Sequence, residues 1–296
     1  MACLVSLLTD AEAEVRAAAV AHLATMTAWG GAAHFSAHLQ PLLPALADDV
    51  VMEVRSKCAL ALMDCAHGGV LEDSLVLSSI GPLLESFLQD EFQEVQLQVL
   101  QNLDKISHLL PALSQVVQCL LQMSVASNWR VRQAVGILLP HLAEARGLDF
   151  FSSVLMEPSW MTLLLDPVSC VRQSLVQGVE LLCKVAGADW INQTLLPAHE
   201  KLYNTHGYLI RVTILQAHAQ VALALKKPEE AAPAIDFIVK SLSDKVPNVR
   251  MVAAQGLGKL ESLEEKTRSG MEACLKDEKD DDVRYALERA LADAAN

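Results

Sequence analysis

The sequence predicts an all-α fold, a right-handed α-solenoid of eight successive helix pairs. Three observations carry that prediction. An acidic residue followed six positions later by arginine recurs along the chain. Apolar residues repeat at helical spacing after each arginine, and no long stretch alternates apolar with polar residues as a half-buried strand does. A period near forty residues with two helix-sized segments per period is how stacked helical repeats read in sequence.

The repeated position holds Arg16, Arg55, Gln96, Arg132, Arg172, Arg211, Arg250 and Arg284, at spacings of 39, 41, 36, 40, 39, 39 and 34 residues. Six positions upstream stand Asp10, Asp49, Asp90, Asp166, Asp244 and Glu278, with Ala126 and Thr205 breaking the pattern. The second helix of each pair, helix B, begins around this arginine. Three residues past it come Ala19, Cys58, Val99, Val135, Leu175, Ile214, Ala253 and Leu287. Seven past it come Leu23, Leu62, Leu103, Leu139, Val179, His218, Leu257 and Leu291. Offsets of three and seven share one helical face, so helix B turns this stripe inward. The acidic residue is placed to cap the free amides of helix B and to oppose its positive dipole end.

Helix A carries its own marker. Fourteen residues before the repeated position stand Pro41, Pro82, Pro158 and Pro197, with Gly270 at that place in the last repeat. Proline inside a helix removes a backbone hydrogen bond and bends the axis, so helix A is expected to bend at the same point in repeat after repeat. The chain then divides into units 1–30, 31–68, 69–108, 109–146, 147–186, 187–226, 227–262 and 263–296, one continuous solenoid. The last helix mixes Arg284, Glu288, Arg289 and Asp293 with apolar residues, as a polar cap would. The first, from Ala2 to Leu8, is apolar nearly all round, so more repeats are expected to precede it in a relative, or a partner to cover it.

Composition excludes several functions. With 23 Lys and Arg against 36 Asp and Glu the net charge is −13, and no dense basic cluster offsets it, so nucleic acid and anionic membrane are not expected partners. No apolar run reaches membrane-spanning length. The 7 cysteines are odd in number and lack CxxC spacing, which argues against a disulfide framework and for the cytosol, with the nucleus as the alternative.

Catalytic and metal motifs are lacking. His34 and His38 lie four apart without the Glu of HExxH or any further ligand pattern, and read as surface or packing residues. His218 falls on the core stripe and reads as a buried histidine with satisfied hydrogen bonds. The acidic run Asp277–Asp282 lacks the glycine and spaced oxygens of a calcium loop and reads as helix capping. Neither a GxSxG elbow nor a phosphate-binding glycine loop is present. No cofactor and no enzymatic activity are expected.

Several stretches resemble a known family. They are Asp10-Ala-Glu-Ala-Glu-Val-Arg-Ala-Ala-Ala19, Glu94-Val-Gln-Leu-Gln-Val-Leu-Gln-Asn-Leu-Asp104, Asn128-Trp-Arg-Val-Arg132, Gly147-Leu-Asp-Phe-Phe151, Tyr208-Leu-Ile-Arg211, Asn248-Val-Arg250 and Asp282-Val-Arg-Tyr285. In order across all the repeats, they resemble HEAT-repeat proteins, specifically the C-terminal half of the scaffolding A subunits of protein phosphatase 2A. That resemblance implies a non-catalytic scaffold whose A/B turns form a ridge. The C-terminal repeats would hold a phosphatase catalytic subunit, and regulatory B-type subunits form a second class of partner. The family's solenoid is much longer than this chain, so catalytic-subunit docking carries over more firmly than the full assembly. Within the HEAT class, deoxyhypusine hydroxylases hold iron with several His-Glu pairs, whereas this chain has only His199-Glu200.

On the ridge, the leading docking residues are Trp129 with Arg130 and Tyr208 with Leu209, because large aromatics and arginine dominate interface energetics. The alternative is that both rings fold back on a neighbouring repeat. Asn248, Asp282 and Tyr285 complete the candidate ridge together with Arg132, Arg211, Arg250 and Arg284. The repeated arginines also suit a ladder of charge-assisted hydrogen bonds between stacked turns, the favoured role for Arg16, Arg55 and Arg172. The other functional reading is a HEAT adaptor for transport or complex assembly.

Overall fold

The computed structural model describes residues 2–260 and 262–293, and every regular element among them is helical. The B helices are Ala13–Val20, Met52–His67, Gln93–Leu100, Trp129–Arg146, Ser169–Trp190, Tyr208–Ala224, Pro247–Leu257 and Asp281–Asp293. In each, the repeated Arg or Gln lies three residues after the first helical residue. Both predicted inward rows are buried, except that Leu291 is half-buried. Burying a Leu or Val side chain contributes about 1.5–3 kcal/mol, so these rows are the main stabilising feature of each helix pair.

Two compact units divide the chain, Met1–Ser159 and Trp160–Asn296. Within the first, B helices Ala13–Val20, Met52–His67, Gln93–Leu100 and Trp129–Arg146 each contact the next. Helices Leu43–Ala47, Gly81–Leu88 and Ser114–Met123 form the second layer. The second unit repeats the plan, with Ser169–Trp190, Tyr208–Ala224, Pro247–Leu257 and Asp281–Asp293 stacked in order. Pro228–Ser241 and Glu265–Asp277 lie in its A layer. Its core gathers Leu215, Ile238, Val249, Leu257, Met271, Val283 and Leu287.

The bend predicted from the prolines takes a definite form. Pro41 sits in a 3₁₀ turn, Gln40–Leu42, directly after the π-wound segment Phe35–Leu39. Pro158 lies inside the π-wound Phe151–Met161, and Pro197 opens Leu196–Thr205 after π-wound Ile191–Leu195. Pro82 instead opens Gly81–Leu88 after a break at Ile80. Proline has no N–H to give and its ring collides with the carbonyl four residues back; a wider turn or a fresh start relieves both.

Gly31, Gly69, Gly147 and Gly187 carry φ of 75°, 69°, 86° and 72°. Each stands where a B helix hands the chain to the next A helix, a reversal through a region that side-chain-bearing residues disfavour.

His218 corrects the sequence reading. It is fully buried, but neither ring nitrogen has a hydrogen-bond partner among the described residues. Its ring packs 4.4 Å from Phe237 and 6.0 Å from the equally buried His199. His199 accepts a hydrogen bond at Nε2 from Trp160 Nε1 at 3.2 Å, while its Nδ1 is unpartnered. Burial drives the His199 pKa down to about 3, and burial plus the neighbouring His199 hold His218 well below its ordinary value.

Candidate protein-binding ridge

The turn between helices A and B is built by its acidic residue, but not as a helix cap. The N-cap residues of five B helices are Glu12, Val51, Phe92, Val168 and Val246, none with a side-chain cap. The acid lies two residues earlier and its Oδ1 accepts the N–H of that N-cap residue: Asp10 from Glu12, Asp49 from Val51, Asp90 from Phe92, Asp166 from Val168 and Asp244 from Val246, at 2.8–2.9 Å. An Asx turn of this kind fixes the chain's approach to the helix. In the fourth repeat, where Ala126 replaces the acid, Asn128 caps helix B by accepting the N–H of Arg130 at 2.9 Å.

The arginine locks the turn from inside and joins it to the next. Nη1 donates to the carbonyl six residues back: Arg16 to Asp10 at 2.9 Å, Arg55 to Asp49 at 2.7 Å, Arg132 to Ala126 at 2.8 Å, Arg172 to Asp166 at 2.7 Å and Arg250 to Asp244 at 2.8 Å. The other edge of the guanidinium grips the acid of the following turn. Arg16 holds Asp49 at 2.7 and 2.9 Å, Arg55 holds Asp90 at 2.6 and 3.0 Å, and Arg250 holds Glu278 at 2.7 Å twice. Arg211 reaches Asp244, which also accepts from Tyr203 Oη at 2.8 Å. Arg172 faces no acid, since Thr205 fills that place, and donates to Thr213 Oγ1 at 3.0 Å.

Between the third and fourth turns both members of a rung are gone together, Gln96 for Arg and Ala126 for acid. Gln96 keeps the inner bond, to Asp90 O at 2.7 Å, and Asn128 Nδ2 donates to Gln93 across the gap. Hydrogen bonds from Arg16 hold the Asp49 carboxyl below its ordinary range. At Asp90, burial pushes upward, and the Arg55 guanidinium and the Phe92 N–H together outweigh it. Arg250 brings Glu278 down to about 2.

The ladder decides which predicted ridge residues offer free groups. Arg211 and Arg250 are part-buried and held by Asp244 and Glu278, and Arg132 is half-buried over its own turn. Trp129 is half-buried with the exposed Arg130 guanidinium stacked on its ring at 4.5 Å. Tyr208, Leu209 and Tyr285 are 43%, 51% and 66% exposed. Asn248, Asp282 and Arg284 also face solvent.

Sequence reasoning missed four further apolar groups on turns of the first unit: Val50 at 91%, Val51 at 36%, Phe92 at 41% and Val125 at 68% exposure. Their signal was present, since each is an apolar residue in a turn that neither buried row uses. Around them the first three turns expose Glu12, Glu14, Asp48, Glu53, Glu91 and Glu94. Among the described residues no group of three or more His, Cys, Asp and Glu is placed to hold a metal ion, and no helix is long and apolar enough to cross a membrane.

Residues 188–292 match the family model for HEAT repeats. No curated protein matches the chain. The solved structure of Kap121p aligns with 99% of this chain at a TM-score of 0.70 and 14% identity. Kap121p bound to Nup53p, and the karyopherin bound to the SUMO protease Ulp1p, each give 0.72 at 14% identity. The chain spans 33% of the length of these Kap121p structures, and at that identity the likeness speaks for the fold alone. Stacked helix pairs, the HEAT match over 188–292 and the Kap121p likeness converge: the chain has the fold of an α-solenoid of HEAT-type repeats.

Proposed function

We propose that the chain is a non-catalytic scaffold that binds a serine/threonine phosphatase 2A-type catalytic subunit along its A/B turns. The supporting observation is that large side chains suited to interface anchoring stand exposed or half-buried at the starts of B helices. Tyr208 and Leu209 open one helix at 43% and 51% exposure, and Trp129 carries Arg130 on its ring at the start of another. Nothing in the fold of those helices requires these groups to face solvent. Asn248, Asp282, Arg284 and Tyr285 extend the surface, while Arg132, Arg211 and Arg250 shape the turns that present it. Its action is positional: shared attachment raises the effective concentration of catalyst and substrate. Regulatory B-type subunits are a second class of partner, and the cytoplasm, with the nucleus, is the compartment proposed.

Calorimetric titration of the purified chain with a phosphatase 2A-type catalytic subunit tests the reading. One-to-one binding, weakened by Trp129→Ala with the helical fold intact, is expected. A folded chain that does not bind would discard it. The second reading, a HEAT adaptor for transport or assembly, is favoured by the Kap121p likeness, because those structures include complexes with Nup53p and Ulp1p. It takes first place if the titration is blank.

A further inference from the structure

Four glutamines from three successive B helices face one groove in the second unit. Gln173, Gln216, Gln220 and Gln255 line it together with Lys259. Gln173 Nε2 donates to Gln216 Oε1 at 2.6 Å, so neighbouring amides are already aligned across the helices. The groove itself holds about 100 Å³, and a neighbouring cleft of about 390 Å³ shares Gln255 and Lys259 with it and reaches the last B helix, where Tyr285 forms part of the wall. Gln216 and Gln255 lie five residues past the repeated arginine; in the first unit that position holds Ala21, Leu60, Gln101 and Ile137, a single amide among four.

We propose that this groove binds a partner segment in the polyproline II conformation, lying across the B helices at one turn of peptide per repeat. Packed helices stand about 8–10 Å apart. A polyproline II helix advances about 9.3 Å over three residues and presents the same face each time, whereas a β-strand repeats its face after about 6.8 Å. The first period fits the repeat and the second does not. Polyproline II makes no internal hydrogen bonds, so its carbonyls are open to donors, and each glutamine amide supplies N–H groups. The charges in the cleft are balanced, Lys259 and Arg289 against Asp282 and Asp293, with Arg289 3.6 Å from Asp293. That balance suits an uncharged main chain better than a charged ligand. The exposed Tyr285 ring gives a proline ring a flat apolar seat.

Fluorescein-labelled decaproline, titrated with the full chain and followed by anisotropy, tests this. Decaproline has carbonyl acceptors but no internal N–H, so it depends on donors from the protein. Saturable one-to-one binding is expected, with no saturation for a Gly/Ser decamer. Gln216→Glu with Gln255→Glu keeps the side-chain shape but removes the donors, and should weaken binding roughly tenfold. Gln216→Leu with Gln255→Leu should do the same, both pairs of variants retaining the parent's circular dichroism. No saturation with decaproline, equal binding of the Gly/Ser peptide, or unchanged affinity in both folded variants would overturn the proposal. The cleft shares Asp282 and Tyr285 with the proposed phosphatase surface, but neither pair of substitutions touches that surface, so loss of decaproline binding in these variants with phosphatase binding retained separates the two readings.

Discussion

Arg55 and Asp90 lie 35 residues apart in sequence and are joined by two hydrogen bonds, of 2.6 and 3.0 Å, with side chains only 10% and 8% exposed. The pair ties the second turn to the third, and the same guanidinium holds the carbonyl of Asp49 in its own turn. Its value lies in completeness, because each partner is screened from water and needs the other.

Arg55→Leu should therefore destabilise the chain by about 3 kcal/mol, by leaving the Asp90 carboxylate part-buried without its partner. Adding Asp90→Leu should recover much of that loss, as the natural pairing of Gln96 with Ala126 indicates. Urea midpoints for the parent, both single variants and the double variant check the coupling. Additive effects of the two substitutions would show that the pair is not cooperative.

Acid should weaken the second unit through His199 and His218. Both are held neutral by burial, with folded pKa values below the ordinary 6.5, so the unfolded chain binds protons first as pH falls. Stability is full above about pH 6.5 and declines as pH falls below it, by about 2 kcal/mol at pH 5 for His199, with His218 acting in the same direction. His218→Leu should flatten this decline and leave stability at pH 7 equal or higher, since it removes two unpartnered buried nitrogens. Thermal melts between pH 7.5 and 5 measure both; an unchanged slope in the variant would place the acid sensitivity elsewhere.

Two glycines should fail for different reasons. An added Cβ at Gly187 meets nothing within 4 Å, so Gly187→Ala should cost only its backbone strain at φ 72°, about 1–2 kcal/mol. At Gly258 an added Cβ would stand 2.7 Å from Ala290 Cβ and 3.0 Å from Ala290 Cα. Gly258→Ala should then cost about 1–3 kcal/mol through overpacking, and Ala290→Gly should relieve the part due to the Ala290 Cβ, while no such partner rescues Gly187→Ala. Melting temperatures of the four variants distinguish strain from crowding.

On the ridge, Tyr208→Ala should weaken catalytic-subunit binding by about 2 kcal/mol, the scale of an aromatic anchor, with a melting temperature close to the parent's. Asn248→Ala, a small polar group on an exposed turn, should change affinity little. Parallel calorimetric titrations would reverse this ranking if the anchor lies elsewhere.

The helical repeat was legible because its signals are local and recur. Rows at offsets of three and seven identified the buried face of helix B, and an Arg and an acid at fixed places made the ladder foreseeable. The acid's task was misread by two residues: a carboxylate before a helix can cap the helix or the turn, and only backbone geometry separates them. Prolines in register announced irregular A helices, but the choice of π winding at Pro158 and a break at Pro82 depends on the surrounding packing. The orphaned nitrogens of His218 were invisible for the same reason, since a hydrogen bond belongs to two residues and a sequence position shows one. Val50 and Val125 were legible as apolar residues with no place in the stripe, and the stripe drew attention away from them.

Where the ladder is complete, a turn carries a donor edge and an acceptor edge, Arg55 on one side and Asp49 on the other in the second turn. Clasps of this kind join head to tail and contain nothing that numbers the repeat. The guanidinium of Arg16 would close as well on Asp90 as on Asp49 if the intervening repeat were deleted, and a duplicated repeat would arrive with both edges ready. The same chemistry that fastens the chain thus leaves its length open to change by gene duplication and loss, one whole rung at a time.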